Sequence, residues 1–489
     1  MDYVVLACFV IYLGLLLAVG FYSYSKSTTL SEYILGGRGL GKWATALSAQ
    51  ASDMSGWLLM GLPGALYLSG LCEAWIAIGL GIGTYLNWRF IAYRLRVFSE
   101  NLDNALTMPE YLSNRFHDKK NILKTVTAVF ITIFFLLYTA SAIVAGAKLF
   151  STVFNFTYLQ ALFVGWALIL LYTFVGGFLA VCWTDVIQGS LMFMALVVVP
   201  VTMFIMLGGN WSEISDLLAS GGPTYLKLSG SESGFDIKSV LSNLAWGLGY
   251  FGMPHIIVRF MAIKDPKELK QSRIIATVWV VITLFAAIMV GLLGRAFVLK
   301  FGIDFADADA ESIFLVAIDY IFPSAIAGFL LAAVLSATMS TADSQLLVSA
   351  SSISNDLVKS FNKNISEKSL LWISRFAVLL IAVLAIAIAI NPDNSIMGLV
   401  SYGWAGLGGA FSAVMLFSLF WRKTSLKGAV TGIVVGGCTV ILWILFGGNT
   451  GIYALLPAFI FSALSIVIVS LISPDKEAEK LYDTAVKHL

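Results

Sequence analysis

In an otherwise apolar stretch, residues 43–67 read WATALSAQASDMSGWLLMGLPGALY, with Ser48, Gln50, Ser52, Asp53, Ser55 and Gly56 near the centre. A carboxylate in the middle of a membrane-spanning helix costs at least ~2.5 kcal/mol, so Asp53 should face water or protein, not lipid. Ser52 and Ser55 compete for backbone partners and Gly56 accepts non-helical dihedrals. The helix is therefore predicted to break between Ala51 and Trp57. Unwound backbone at that depth is tolerated only where it is buried or lines a cavity, and its free carbonyls can then hold a cation.

Two further segments are interrupted in a related way. Residues 240–260 read VLSNLAWGLGYFGMPHIIVRF: Gly247, Gly249 and Gly252 surround Tyr250, and Pro254 follows. Pro254 lacks an N–H and crowds the carbonyl four residues earlier, which frees the carbonyl of Tyr250. Trp246 and Tyr250, four apart, share a face if this part stays α-helical. Aromatic faces beside freed backbone groups suit a small molecule with an apolar ring and charged ends. Residues 331–350 read LAAVLSATMSTADSQLLVSA, and Ala333, Ala337, Ser340, Thr341 and Ser344 recur at helical spacing on one narrow face. Hard cations take oxygen ligands. Two adjacent hydroxyls with carbonyls from a neighbouring broken helix could supply five to a sodium ion without burying several anions. Asp343 falls near the inner end of this segment, where hydration or a basic partner would carry its charge.

These residues must be held by membrane-spanning helices. The chain has 489 residues, 59% hydrophobic and 12% charged, and a mean hydropathy of +0.89. Soluble domains carry about a quarter charged residues, so this chain cannot cover a water-exposed surface of its size. At about 20 apolar residues per crossing, thirteen spans are predicted: 3–23, 43–67, 70–92, 124–150, 157–177, 184–208, 239–260, 274–299, 322–350, 370–390, 395–420, 427–447 and 452–473. With the N-terminus outside, all 30 Lys and Arg except Lys148, Lys227, Lys238, Arg295 and Lys300 lie in cytoplasmic loops, span ends or the tail, Lys26, Arg259 and Lys363 among them. Cytoplasmic loops carry such an excess, whereas the outer loops hold Asp304, Asp307, Asp309 and Glu311. The expected topology is N-out and C-in, in a bacterial cytoplasmic (inner) membrane. The Met1 end reads as a retained first span. Thr107–Phe116 reads as a short helix at the inner face and Trp211–Leu218 as an outer surface helix.

Composition also excludes several function classes. A net charge of +2 offers no field for nucleic acid. Cys8, Cys72, Cys182 and Cys438 form no C-x-x-C pair, and His117, His255 and His488 are scattered. No nucleophile–base pair and no room for a soluble catalytic domain are visible, so the chain does not read as an enzyme. The interrupted second and seventh spans are five apart, as in inverted five-helix repeats that bind ligand at mid-membrane. The expected organisation is 1–42 (first span and inner loop), 43–208 (first repeat), 209–238 (outer loop), 239–420 (second repeat) and 421–489 (two peripheral spans and cytoplasmic tail).

Five motifs then carry a resemblance: YILGGRGLG (Tyr33–Gly41), ALSAQASDMSGWLLMGLPGA (Ala46–Ala65), TFVGGFLAVCWTD (Thr173–Asp185), WGLGYFGMPHI (Trp246–Ile256) and LSATMSTADSQLLV (Leu335–Val348). Along its whole length the chain resembles the proline-carrying branch of the bacterial solute:sodium symporter family. The resemblance implies a leucine-transporter-like inverted-repeat fold and sodium-coupled import of L-proline by alternating access, with Na+ as co-transported ion and no cofactor. Membrane lipid is the expected surroundings, with no obligatory protein partner evident. It further implies a sodium site of the Ala51, Met54 and Ala337 carbonyls with the Ser340 and Thr341 hydroxyls, and Asp53 as the carboxylate of sodium dependence. Ser55 and Gly56 would adjoin the substrate; Tyr138, Trp246, Tyr250 and Pro254 match residues of proline binding or its gate. Arg38, in the inner loop, and Asp185, at the start of the sixth span, match charged positions linked to transport. A sodium- or proton-coupled carrier of another small amino or carboxylic acid is the alternative.

Overall fold

The computed structural model describes residues 2–24, 30–175, 177–232, 234–305, 307–362, 364–447 and 450–489. Lys26 and Lys363, counted above as cytoplasmic, lie outside them. Among the described residues the regular structure is helical, apart from an isolated bridge between Leu40 and Ile263. Nine helices there are long and apolar enough to cross a membrane, and Trp57–Ser69 and Tyr158–Leu170 are shorter apolar helices. Helices close their backbone hydrogen bonds within one segment, which hydrocarbon demands.

Burial separates a centre from a periphery. In the best spanning windows of Ser324–Phe361 and Ile396–Phe420, 83% of residues are buried, against 28% near the N-terminus and in Leu455–Ile472. The central helices therefore position the site, and the outer ones present Val10, Ile11, Leu471 and Ile472 outward.

The predicted 43–67 span is broken where the polar residues fall. An α-helix Lys42–Asp53 ends at Met54 (ψ 82°), and the chain resumes through a π turn, Trp57–Gly61, into Leu62–Ser69. The predicted 239–260 span is also two half-helices: Ile237–Leu244, a 3-10 stretch Ala245–Gly252, extended Met253, then Pro254–Ala262. Pro254 opens the second half-helix, where its missing N–H would have no partner anyway. It starts a helix here and kinks none. This stretch is 3-10, with three residues per turn, so the condition under which Trp246 and Tyr250 would share a helical face is not met. The predicted 322–350 span is the α-helix Ser324–Ser351, which continues through a π stretch, Ser352–Val358. The helix predicted for the inner face is Met108–Arg115, capped where Thr107 Oγ1 accepts from Glu110 N at 3.2 Å. The surface helix predicted for the outer side is Trp211–Ala219.

The 3-10 stretch lies hard against helix Ala74–Leu86. A Cβ on Gly247 would sit 2.1 Å from the Gly79 carbonyl oxygen, and one on Gly83 would sit 2.2 Å from the Gly247 carbonyl oxygen. The neighbours are backbone and cannot swing aside. Gly247→Ala is expected to cost about 1–3 kcal/mol by overpacking, read as a lower melting midpoint of the detergent-solubilised protein. An unchanged midpoint would contradict this contact.

Candidate ion and ligand site

The break after Asp53 packs against helix Ser324–Ser351. The Ser340 hydroxyl donates to the Ala51 carbonyl at 2.8 Å and lies 3.4 Å from the Ala337 carbonyl. Thr341, one residue on, is fully buried, and its Oγ1 has no hydrogen-bond partner. Met54, also buried, is the first non-helical residue of the break. Three oxygens from two helices thus converge, with a buried unpaired hydroxyl on the next residue of the helix, and a hard cation could displace the Ser340 proton from Ala51 and take both oxygens as ligands.

Asp53 joins the two broken segments. Its Oδ2 accepts from the Tyr250 hydroxyl at 2.5 Å, and its buried Oδ1 has no partner. Its carbonyl accepts from Trp57 Nε1 at 3.0 Å and from the Tyr138 hydroxyl at 3.4 Å. Around Tyr250 the rings close into a cluster. Tyr250 meets Trp404 edge-on at 5.1 Å, Tyr138 meets Trp404 at 6.4 Å, and Trp246 stacks on Tyr453 at 4.7 Å. Trp404 Nε1 donates to the Trp246 carbonyl at 2.8 Å and Ser412 Oγ to the Gly249 carbonyl at 3.2 Å. Helix Ile396–Phe420 therefore adds side-chain donors to two backbone carbonyls of the 3-10 stretch and pins it in place. Sequence reasoning missed Trp404 and Tyr453, since single aromatics in apolar segments look the same whether they face lipid or a site.

Ser55 reaches the edge of this cluster, within hydrogen-bonding range of Tyr138, whereas Gly56 and Pro254 meet other neighbours. Ser55 is buried and its Oγ accepts from Trp57 N at 3.3 Å, steadying the restart of the helix. Gly56 is a close-packing point: a Cβ there would lie 2.6 Å from Ala145 Cβ. Pro254 lines a small cavity with Thr107, Val258 and Ser352.

Asp185 does not start its helix. That helix is Phe178–Met206, with Gly177 at its N-cap, so Asp185 lies two turns inside and fully buried. The GG pair at 176–177 was the signal for the true start, masked by the apolar residues on both sides. Its Oδ2 accepts from Ser48 Oγ at 2.6 Å and Ser52 Oγ at 3.2 Å, and pairs with Arg259 Nη2 at 3.3 Å. Arg259, counted above among cytoplasmic charges, is also fully buried. It donates further to Ser48 Oγ (3.1 Å), the His255 carbonyl (2.6 Å) and Ser344 Oγ (2.7 Å). Asp343, expected near the inner end, is fully buried beside this pair. The network knots together four helices around both breaks.

The two faces differ. At the predicted cytoplasmic face, Arg38 donates to Asn104 Oδ1 (2.9 Å), Ser99 Oγ (3.3 Å) and the carbonyls of Met261 (2.5 Å) and Ala105 (2.9 Å). Burial pushes its guanidinium down to about 10, and it stays charged at neutral pH. Arg96 Nε holds the Ile263 carbonyl at 2.8 Å, and Leu40 N bonds the Ala262 carbonyl at 3.1 Å. The end of the second half-helix is thus latched. At the opposite face a cavity of ≈ 680 Å³ is lined by Gly61, Glu73, Lys148, Glu311 and Asp393, among others. Glu311 pairs there with Lys148 at 2.9 Å and accepts from the N–H groups of Ile396 and Met397.

The profile of the Sodium:solute symporter family matches residues 33–436. The chain is 45% identical over 484 residues to the osmoregulated proline transporter OpuE of Bacillus subtilis (strain 168), covering 98% of this chain and 97% of that protein. It is 44% identical over 488 residues to the sodium/proline symporter of Escherichia coli (strain K12), covering 99% and 96%. Among solved structures it is similar to a Na+-coupled sialic acid symporter in a substrate-bound outward-open state, with a TM-score of 0.80 at 20% identity over 97% and 99% of the two chains. MhsT in complex with L-phenylalanine matches with a TM-score of 0.55 at 14% identity over 88% and 98%. These two likenesses concern the fold alone. They agree with an all-α, multi-pass membrane protein.

Proposed function

The chain belongs to the sodium:solute symporter family, and from that premise we propose that it imports L-proline on the sodium gradient by alternating access. As a family member it is a sodium-coupled secondary transporter and not an enzyme. Two relatives of nearly the same length, at 44–45% identity, are named for proline, which supports that substrate. One observation carries the reading. The Ser340 hydroxyl meets the Ala51 carbonyl beside unpaired Thr341, within the same broken segment whose Asp53 holds Tyr250.

In this reading the Ala51, Met54 and Ala337 carbonyls with Ser340 and Thr341 bind sodium, and Asp53 passes its occupancy to Tyr250. Proline lies against Tyr138, Trp246, Tyr250 and Trp404, next to Ser55 and Gly56. Pro254 acts by starting the inner half-helix, and Asp185 by holding Arg259. The latch made by Arg38 and Arg96 must open for inward release. The wider frame is thirteen crossings, N-out and C-in, with five-helix inverted repeats over 43–208 and 239–420, flanked by 1–42, 209–238 and 421–489. One sodium with one zwitterionic proline moves one net charge, so voltage adds about 2.3 kcal/mol per 100 mV to the drive.

Purified protein in liposomes, with labelled proline and imposed sodium, proton and voltage gradients, tests this directly. Uptake should need inward sodium and quicken with a negative interior. Uptake that persists without sodium and collapses with the proton gradient would overturn it. Ser340→Ala and Thr341→Ala should each raise half-saturating sodium about tenfold, the equivalent of ~1.4 kcal/mol. Unchanged sodium dependence in both would remove these hydroxyls from the ion site.

A further inference from the structure

We propose that the helix carrying Ser340 also carries the ion's way out, along a buried polar column that ends in a second, transient cation site at Asp356. This rests on the sodium-coupled reading above.

The column is Thr341, Gln345, Ser349, Ser352 and Asp356. At 3.6 residues per turn these positions fall within a sector of roughly 90°. All five are buried, none more than 1% exposed. Each also has a polar atom without a hydrogen-bond partner: Thr341 Oγ1, Gln345 Nε2, Ser349 Oγ, Ser352 Oγ and Asp356 Oδ2. An unpaired buried polar atom costs ~1–3 kcal/mol, and such atoms in a native protein point to water or an ion. Five in register along one face exceed what helix packing needs.

The column begins at the candidate ion site and follows helix Ile122–Phe154, where Thr139 Oγ1 donates to Gln345 Oε1 at 3.2 Å. Lower down, Ser352 lines a cavity of ≈ 20 Å³ with Thr107, Met108, Pro254 and Val258, room for about one water. At Ser352 the helix becomes the π stretch that runs to Val358, a distortion frequent at functional sites.

The end of the column is built of oxygens. Asp356 Oδ1 accepts from Thr107 Oγ1 at 2.9 Å and from Asn355 Nδ2 at 3.0 Å, and Lys124 Nζ lies 3.4 Å away. Asp356 Oδ2 and Asn355 Oδ1 are buried and unpaired at this same end. Lys124 Nζ is also 4.0 Å from Glu110 Oε1. An arriving cation takes the Asp356 oxygens and Lys124 shifts its charge onto Glu110, so positive charge never stacks up on one carboxylate. Thr107 feels the exchange, because its hydroxyl both bonds Asp356 and caps helix Met108–Arg115. That helix covers the exit, and ion arrival loosens its cap.

The test compares the two faces of oriented proteoliposomes, with sodium alone varied and proline held constant. Asp356→Asn should raise the half-saturating sodium for efflux, applied inside, about tenfold while moving the external value for uptake less than about twofold. Asp356→Glu, which keeps the charge, should return the internal value to within about threefold of wild type. Equal shifts at both faces, or none, would overturn the proposal, as would failure of Glu to rescue. Should Asp356→Asn not insert, Ser352→Ala carries the test, with an expected internal shift of about threefold and no shift as the overturning result. Wild-type protein without sodium dependence at either face would sink the sodium-coupled reading, and this one with it.

Discussion

Replacing Arg259 by Leu should destabilise the protein by about 3–5 kcal/mol, the range for removing one partner of a buried ion pair. The guanidinium is fully buried and donates to Ser48, the His255 carbonyl, Asp185 and Ser344. Without it, Asp185 and Asp343 would share a buried pocket with no cation, and Asp185 Oδ1 and Asp343 Oδ2 already lack partners. Leu restores volume but no charge, so the loss reads the electrostatics and not a cavity. Adding Asp185→Asn to Arg259→Leu should recover part of the loss, since it removes one uncompensated carboxylate. Thermal challenge of the detergent-solubilised variants, read by fluorescence size exclusion, measures both steps. A wild-type midpoint for Arg259→Leu, or a double variant weaker than the single, would show that the pair is not what holds these helices together.

The second large effect is expected where the two broken segments meet. Asp53→Ala should lower sodium-driven uptake about 100-fold, because it deletes the acceptor of a charge-assisted hydrogen bond worth ~1.5–3 kcal/mol and leaves the Tyr250 hydroxyl buried without it. Tyr250→Phe keeps the ring against Trp404 and removes only the hydroxyl, so about a tenfold loss is expected. The two changes act on one bond. The double variant should therefore be little worse than Asp53→Ala alone, with a coupling of about 1.4 kcal/mol in the mutant cycle, the whole of the Tyr250→Phe effect. Losses that simply add would mean that Asp53 and Tyr250 serve separate steps, and the link between ion and substrate would then run elsewhere.

Both breaks are legible in the sequence because they violate the local rule for a lipid-spanning segment. Asp53 with four nearby hydroxyl or amide residues, and three glycines before Pro254, are unaffordable on lipid-facing helices. The structure breaks within a residue or two of both sites. The relative directions of Trp246 and Tyr250 in the second break stay conditional in the sequence, since apolar pattern and glycine content do not distinguish 3-10 from α geometry. Counting basic residues by their order in the chain put Arg259 at the cytoplasmic edge, although it is pulled inward by Asp185, 74 residues away in sequence. Asp185 was misplaced for a related reason: the apolar run on both sides of the GG pair hides where one helix stops and the next begins.

The sequence by itself determined the solvent, the helical class and the places where the central helices must open, with hydroxyls and a carboxylate gathered beside them. These follow from transfer costs and backbone chemistry, which act residue by residue. Only the tertiary structure decided the partners: Trp404 on the Trp246 carbonyl, Arg259 on Asp185, Thr107 on Asp356. Each joins residues far apart in the chain, and the choice depends on how helices rotate and cross when they pack, a property of the whole assembly that no single segment encodes.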